Sequence, residues 1–227
     1  MILYAPRCTV NGMIWTHDGT IRSALWIGGG QWAGKTTVAG LLTDRYGLIH
    51  YHYDQFDIRV HEDRRVAARA RRGEPTAPPD WEAYWIASSP RETAERTLAG
   101  FAESFPWVLD VLRGLVAPRP VLLDGWGLRP ELVAAATGDV RRMVVIVPTD
   151  GWRLRQAATL PRAGAVSARV SDPALAQRNR LERDRLIAAD AVRKAHEHGI
   201  PVIEVDGARP PESIADEVAD RFRPFLP

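Results

Sequence analysis

The chain has 227 residues, of which 45% are hydrophobic and 26% are charged. This composition is typical of a globular protein, and the length fits one α/β domain with a small insertion. The single cysteine, Cys8, excludes a disulfide framework and a cysteine-rich metal site, and it favours a cytoplasmic location. The formal net charge of +2 does not demand nucleic-acid binding, and no run of about 18 apolar residues predicts a membrane span.

Residues 1–22 precede the first predicted core strand. An Asn11-Gly12 turn signal lies between apolar residues there, which predicts a β-hairpin at this end of the chain. A start codon placed too far upstream explains the same stretch equally well. We therefore treat 1–22 as an extension and 23–227 as the main domain.

A glycine-rich loop follows the first predicted strand at 23–28 and precedes an amphipathic helix from Thr37 onward. The loop reads Gly29-Gly30-Gln31-Trp32-Ala33-Gly34-Lys35-Thr36, which is the complete Walker A pattern G-x-x-x-x-G-K-T. Strand, loop and helix in this order predict a phosphate-binding loop, because its backbone N–H groups and the helix N-terminus face one anion. Lys35 can reach the β- and γ-phosphates of ATP, and the Thr36 hydroxyl can bind Mg²⁺.

The remaining chain alternates predicted strands with predicted helices. Further strands are predicted at 48–53, 120–125, 143–149 and 202–206, and helices at 35–46, 58–72, 90–104, 105–115, 129–136, 174–198 and 211–222. Such alternation predicts an α/β domain in which helices cover both faces of a parallel sheet. The stretch 58–119 is too long for one crossover, which predicts a helical insertion where an acceptor could bind. The stretch 150–172 is interpreted as loop and helix fragments that form a mobile lid.

Two acidic residues follow predicted strands on the rim that carries the phosphate loop. Asp124 ends an apolar strand at the Walker B position, where it would bind Mg²⁺ directly or through water. Asp54 follows the second strand and could accept a proton from an acceptor hydroxyl. Asp54 could instead bind a water of Mg²⁺ or cap a helix, although Asp57 is the better candidate for that cap.

Arginines after the fourth strand could stabilise the transferring phosphoryl group, since guanidinium groups offset the charge on its oxygens. Arg153 and Arg162 are the candidates, and for either one a solvated ion-pair face is the alternative. The arginines within 58–72 favour an anionic acceptor, because few of them would be needed for a neutral nucleoside.

With these residues in place, the chain resembles the P-loop nucleoside and nucleotide kinase-like group. Within that group it looks similar to the small bacterial kinases that include chloramphenicol phosphotransferase, and to uncharacterised actinobacterial small-molecule kinases. The matching stretches are 25–37, 121–125, 145–149 and 205–207, together with Tyr53-Asp54, Asn179 and Arg183-Asp184. They cover most of the chain from about 23 to 220.

The resemblance implies a three-layer P-loop NTPase fold whose five-stranded parallel sheet has the order 2-3-1-4-5. It also implies ATP and Mg²⁺ as cofactors, a lid with arginines after the fourth strand, and a loop at Asp206 near the adenine. Two positions depart from the usual pattern. Trp32 is bulky for this loop and must point away from the phosphates, and position 124 is Asp where close relatives often carry Glu.

The leading hypothesis is an ATP-dependent phosphotransferase that moves the γ-phosphate to a hydroxyl or phosphate of a small molecule. The acceptor would be a nucleoside, a nucleotide, a metabolite or an antibiotic. One alternative is a regulatory NTPase or switch that acts through a protein partner, although the chain has no N-K-x-D signature of GTPases. Another is a polynucleotide 5′-hydroxyl kinase, against which the near-neutral charge argues. The sequence leaves open the acceptor and the choice between monomer and homodimer.

Overall fold

The structure is a computed structural model that describes residues 8–10, 13–15, 19–78, 80–115, 117, 119–160 and 169–227. Near the N-terminus, strands β1 (Cys8–Val10) and β2 (Met13–Trp15) pair antiparallel, on either side of the Asn-Gly signal. A short helix, α1 (Gly19–Ser23), follows, and the sequence pattern had not predicted it.

Five parallel strands form the central sheet. They are β3 (Leu25–Gly29), β4 (Ile49–His52), β5 (Val121–Asp124), β6 (Met143–Pro148) and β7 (Val202–Val205). Their spatial order is β4-β5-β3-β6-β7, which is 2-3-1-4-5 when they are counted along the chain. This order confirms the predicted topology. Every residue of β3, β5 and β6 is buried, which explains why these strands are almost continuous apolar runs.

Helices cover both faces of the sheet, because alternate residues of a strand point to opposite sides. Leu25 and Ile27 pack in the core between the sheet and helices α2 (Lys35–Tyr46) and α9 (Pro211–Phe222). Trp26 packs in the opposite core, against α5 (Pro90–Gly114) and α8 (Pro173–Glu197). A further helix, α6 (Pro130–Thr137), lies on this second face. The domain therefore has three layers.

The predicted insertion begins earlier than the sequence pattern indicated. Strand β4 ends at His52, and α3 (Tyr53–Phe56) starts directly after it. A π-helical segment (Asp57–His61) and α4 (Glu62–Arg71) continue the same helical stretch. Neither Asp54 nor Asp57 caps this helix, because the N-cap position is His52. The expectation of a cap at Asp57 is therefore wrong.

Helix α5 corrects a predicted break. The pattern predicts two helices separated near 104–105, but residues 90–114 form one helix of 25 residues with Pro106 inside it. Proline removes one backbone hydrogen bond from a helix, and the burial of Phe101, Phe105 and Val108 against the sheet outweighs that loss. Ser89 caps this helix, since its hydroxyl accepts a hydrogen bond from the Glu92 backbone N–H.

The stretch 150–172 is more regular than predicted where it is described. Residues 150–159 form one helix, α7 (Asp150–Thr159), and the Thr149 hydroxyl accepts a hydrogen bond from the Trp152 N–H at its start. Residues 161–168 lie outside the described part of the chain, so the mobile lid stays a prediction. None of the helices among the described residues combines the length and the apolar character needed to span a bilayer.

Candidate phosphate-transfer site

The Walker A loop connects β3 to α2, as its motif predicts. Gly29 has φ +123°, and a Cβ atom there would overlap the backbone of Ile146 on β6, so only glycine fits. Gly34, with φ +75°, turns the chain into α2. Lys35 is the first residue of that helix, and its Nζ donates a hydrogen bond to the Gly30 carbonyl at 2.6 Å. The loop therefore has a fixed shape before any ligand binds.

Residues 31–37 of the loop and Asp54 together enclose a cavity of about 80 Å³. The cavity lies at the N-terminus of α2, where backbone N–H groups and the helix dipole favour an anion. Its dimensions and polar lining fit a phosphate group. The loop residues that line it are Gln31, Trp32, Ala33, Gly34, Lys35, Thr36 and Thr37. Their contact with a nucleotide stays a prediction.

Trp32 is held in the left-handed conformation, with φ +69°, the one non-glycine residue with positive φ in the described chain. Its indole Nε1 donates a hydrogen bond of 3.0 Å to Asp184 Oδ2 on α8, and the Arg180 guanidinium lies 5.2 Å from the ring. The indole therefore packs toward α8, as expected for a bulky residue in this loop. We refer to this contact as the Trp32–Asp184 anchor.

Asp184 also binds its neighbour in the chain. Its Oδ1 accepts hydrogen bonds from Arg183 Nε at 3.0 Å and from Nη2 at 2.6 Å. Only 1% of Asp184 is exposed, so this carboxylate serves three donors away from water. The sequence pointed to Arg183-Asp184 only through the family resemblance, and nothing local in the pattern indicated that Asp184 would fasten the phosphate loop.

Thr36 and Asp124, the predicted magnesium ligands, lie together. The Thr36 hydroxyl donates a hydrogen bond of 2.7 Å to Asp124 Oδ2. Burial raises the pKa of Asp124, but hydrogen bonds from His50 and Thr36 outweigh burial and hold the pKa below its usual value. An ionised carboxylate beside a hydroxyl is an oxygen donor set of the kind that Mg²⁺ prefers. The residues therefore fit the predicted metal.

Two histidines that the sequence analysis missed complete this cluster. His50 Nε2 lies 2.6 Å from Asp124 Oδ1, and His52 Nε2 lies 3.2 Å from Thr36 Oγ1. Both histidines are on β4, and the register of β4 with β5 places His52 opposite Asp124. The alternation His50-Tyr51-His52 was the available signal, because it puts both imidazoles on one face of a strand next to the Walker B strand.

Asp54 lies in the first turn of α3, at the wall of the small cavity. Its Oδ1 atom is buried and has no hydrogen-bond partner among the described residues. Burial raises the pKa of Asp54, and Asp124 raises it further, while Lys35 and the Trp126 backbone N–H partly offset the rise. A carboxylate with a raised pKa and an unused oxygen is suited to accept a proton.

A larger cavity of about 490 Å³ adjoins the other side of the loop. Trp32, Val38, Trp152 and Val205 form part of its mainly apolar wall. At the β7–α9 turn, Gly207 has φ +84°, and a Cβ atom there would overlap the Trp152 ring. Apolar walls and this volume suit a flat heterocyclic ring.

Asp206 shapes the turn beside this cavity. Its carboxylate accepts a hydrogen bond of 2.8 Å from the Ala208 N–H, and its backbone carbonyl accepts one from Arg155. Its neighbours Val205 and Gly207 line the cavity. Direct contact between Asp206 and a nucleotide stays a prediction.

The predicted catalytic arginines are not brought to the loop by the described contacts. Arg153 lies on α7 and is buried, and its Nη1 forms an ion pair of 3.0 Å with Asp150. Its Nε has no hydrogen-bond partner among the described residues. Arg162 lies outside the described residues. The action of either arginine on a phosphoryl group stays a prediction.

The Walker A loop follows β3, the first strand of a parallel sheet with the order 2-3-1-4-5, and this combination identifies the fold. It is the P-loop NTPase fold. No family model matches this P-loop protein, and no curated protein matches it.

Two solved structures are similar to this P-loop protein. A gluconokinase from Sinorhizobium meliloti 1021 has 13% identity and a TM-score of 0.44, with 91% of this chain and 94% of that chain covered. A shikimate kinase from Aquifex aeolicus VF5 has 16% identity and a TM-score of 0.37, with 88% and 95% covered. Both TM-scores lie below 0.5, so what those two proteins phosphorylate does not transfer to this one. The nearer resemblance to chloramphenicol phosphotransferase also stays a prediction.

Proposed function

We propose that the protein is an ATP-dependent phosphotransferase that moves the γ-phosphate to a hydroxyl of a small molecule. The observation that carries this proposal is the buried Oδ1 of Asp54, which has no hydrogen-bond partner in the described part of the chain and lies at the wall of the cavity that Lys35 and Thr36 also line. A phosphotransferase needs a proton acceptor at this place, because the acceptor hydroxyl loses its proton as it is phosphorylated.

The phosphate loop binds the nucleotide phosphates through its backbone N–H groups and Lys35. The Lys35 ammonium has three donors, so it can keep its bond to the Gly30 carbonyl and still donate to a phosphate oxygen. Thr36 and Asp124 would hold Mg²⁺, which supplies positive charge against the phosphate oxygens when it is bound. The adenine enters the 490 Å³ cavity beside Trp152 and Gly207.

The transfer step places Asp54 as the general base. The acceptor hydroxyl oxygen forms a bond to the γ-phosphorus while the bond from that phosphorus to the β–γ bridging oxygen breaks. The electron pair of the broken bond leaves with ADP, and the hydroxyl proton passes to Asp54 Oδ1. Arg153 on α7 and Arg162 are the residues that would offset the charge on the transferring oxygens.

Label transfer tests the proposed function. The purified protein is incubated with Mg²⁺, ATP labelled on the γ-phosphate and a metabolite extract, and the label is followed into products. We expect label in one small organic product, its loss in Lys35→Ala, and a loss of about 10²–10⁴-fold in Asp54→Asn. Asp44→Asn, an exposed aspartate on α2, is the matched control and should keep wild-type activity. Label found only in free phosphate, whatever is added, would favour a regulatory NTPase instead.

A further inference from the structure

A third cavity, of about 260 Å³, is lined partly by residues of the helical insertion. Asp57, one helical turn after Asp54, lines it, as does Trp126, whose backbone N–H lowers the pKa of Asp54. Arg65 on α4 and Arg183 on α8 also line the cavity. Five separate parts of the chain thus meet around this opening, and Asp57 and Trp126 connect it to the proposed base.

Arg65 is the first of two arginines in the cavity wall, and its guanidinium is paired within the protein. Arg65 donates from Nη1 to Asp57 Oδ1 at 2.7 Å, from Nη2 to the Asp57 carbonyl at 2.8 Å, and from Nε to Glu62 at 2.9 Å. All three of its guanidinium nitrogens therefore have acceptors within the protein. A guanidinium has five N–H donors, so two N–H groups of Arg65 are left for a ligand, but its positive charge is already balanced by the carboxylates of Asp57 and Glu62.

Arg183, the second arginine of the cavity wall, is also paired with a carboxylate. Arg183 donates twice to Asp184, and its guanidinium lies 4.7 Å from the centre of the Trp85 ring and 5.1 Å from that of Trp126. Aromatic faces stabilise a guanidinium by cation–π contact. The charge of Arg183 is thus satisfied by one carboxylate and two indoles.

Two further arginines of the insertion, Arg69 and Arg72, are also paired with acids. Arg69 pairs with Glu62 at 3.5 Å, and Arg72 pairs with Glu74 at 2.7 Å and with Glu103 at 3.4 Å. The stretch 58–72 contains six arginines, whose number favoured an anionic acceptor, and three of them, Arg65, Arg69 and Arg72, are paired with acids inside the protein.

Asp57 supplies the negative side of the cavity. Burial raises the pKa of Asp57, but hydrogen bonds to His61 and Arg65 outweigh burial and lower it, so the carboxylate is ionised near neutral pH. Such a group accepts hydrogen bonds from hydroxyls. Because each arginine of the cavity is paired with a carboxylate, the wall has no surplus positive charge that would attract a phosphate or carboxylate on the acceptor. Opposite it, Tyr84, Phe101 and Trp126 give the cavity aromatic walls.

We propose that this cavity binds the acceptor and that the acceptor is an uncharged hydroxylated compound with an apolar face. Asp57 accepts a hydrogen bond from one hydroxyl, the aromatic walls pack against the apolar face, and a second hydroxyl reaches Asp54. The volume lies below the range of roughly 300–1,000 Å³ that is common for ligand pockets, so the acceptor is a small one. This assignment rests on the proposed phosphotransferase function.

The proposal can be tested by separating candidate acceptors according to their charge, even though the acceptor is not identified. A metabolite extract is passed over an anion-exchange column at neutral pH, and the flow-through and the retained fraction are each offered with γ-labelled ATP. We expect at least about tenfold more label in organic product from the flow-through. The labelled product itself should now bind the column, because phosphorylation makes it anionic.

A cavity-filling variant locates the acceptor. Gly100 on α5 lines the cavity, and a Cβ atom there would meet no atom within 4 Å, so Gly100→Leu fills the space without disturbing the helix. Gly114→Leu, at the exposed end of the same helix, is the matched control. We expect at least a tenfold loss of label transfer in Gly100→Leu alone. Both variants should bind a non-hydrolysable ATP analogue with wild-type affinity, which also shows that they fold.

Each other result refutes a different statement. Label that arises equally or mainly from the retained fraction overturns the uncharged acceptor. If Gly100→Leu still transfers label to the flow-through compounds as well as wild type does, the acceptor does not bind in this cavity. Label confined to free phosphate with both fractions and with the whole extract overturns the phosphotransferase function, and this assignment falls with it.

Discussion

The Trp32–Asp184 anchor makes a prediction about nucleotide binding that needs no acceptor. Asp184→Asn leaves every residue of the phosphate loop unchanged but removes the charge that serves Trp32 and Arg183. Breaking a buried ion pair from one side costs about 3–5 kcal/mol of unfolding free energy. A hydrogen bond to a charged group contributes about 1.5–3 kcal/mol and one between neutral groups about 1 kcal/mol, so the loop loses about 0.5–2 kcal/mol of anchoring.

That loss should weaken the binding of a non-hydrolysable ATP analogue about tenfold, because the nucleotide must then hold Trp32 in its left-handed conformation without this support. Isothermal titration calorimetry measures the affinity, and urea unfolding measures the stability of the same preparation. The affinity should fall mainly through faster dissociation of the analogue.

Asp190→Asn provides the matched control for this prediction. Asp190 lies further along α8 and pairs with the buried Arg129, so its loss should also lower the unfolding free energy. It does not contact the phosphate loop through any described bond, and we expect analogue affinity within about twofold of wild type. Equal affinity in Asp184→Asn and Asp190→Asn, with similar losses of stability, would refute the anchor.

Three further predictions concern the proposed reaction. Burial raises the pKa of Asp54, and only the ionised carboxylate accepts a proton. Turnover should therefore fall, as the pH is lowered, at a pH above the pKa of an ordinary aspartate. A pH–rate profile measures this, and an acid limb at the ordinary aspartate pKa would contradict it. His50→Ala removes a hydrogen bond from Asp124 and should raise the Mg²⁺ concentration for half-maximal turnover about tenfold, whereas an unchanged magnesium titration would mean that His50 does not orient this carboxylate. Gly207→Ala forces a Cβ atom toward Trp152 at φ +84° and should weaken the binding of an ATP analogue by about 1–2 kcal/mol. An unchanged affinity would mean that the adenine does not bind in the 490 Å³ cavity.

The phosphate loop and the sheet could be predicted because their signals are local. The Walker A residues specify their own loop, and the buried strands β3, β5 and β6 are short apolar runs between helices. The boundaries failed where packing outweighed local preference. Pro106 continues a helix that its neighbours bury, and Tyr53 begins a helix although it follows a strand in an aromatic run.

The surroundings of the site could not be predicted, because they depend on contacts between distant parts of the chain. His50 reaches Asp124 only through the pairing of β4 with β5, which are separated by the whole insertion. Trp32 and Asp184 are 152 positions apart. Arg65 looked like an anion-binding residue by composition, and only its three acceptors show that its charge is already satisfied.

Arg183 and Asp184 are consecutive residues of α8, yet one lines the proposed acceptor cavity and the other fastens the nucleotide loop. A single rigid helix is thus a shared wall between two binding sites. Because energetic coupling between sites is reciprocal, any tightening of the nucleotide by an acceptor must be matched by an equal tightening of the acceptor by the nucleotide. Substitutions in this part of α8 therefore alter both ligands at once, which restricts how freely the protein can evolve toward a new acceptor while it keeps its hold on ATP.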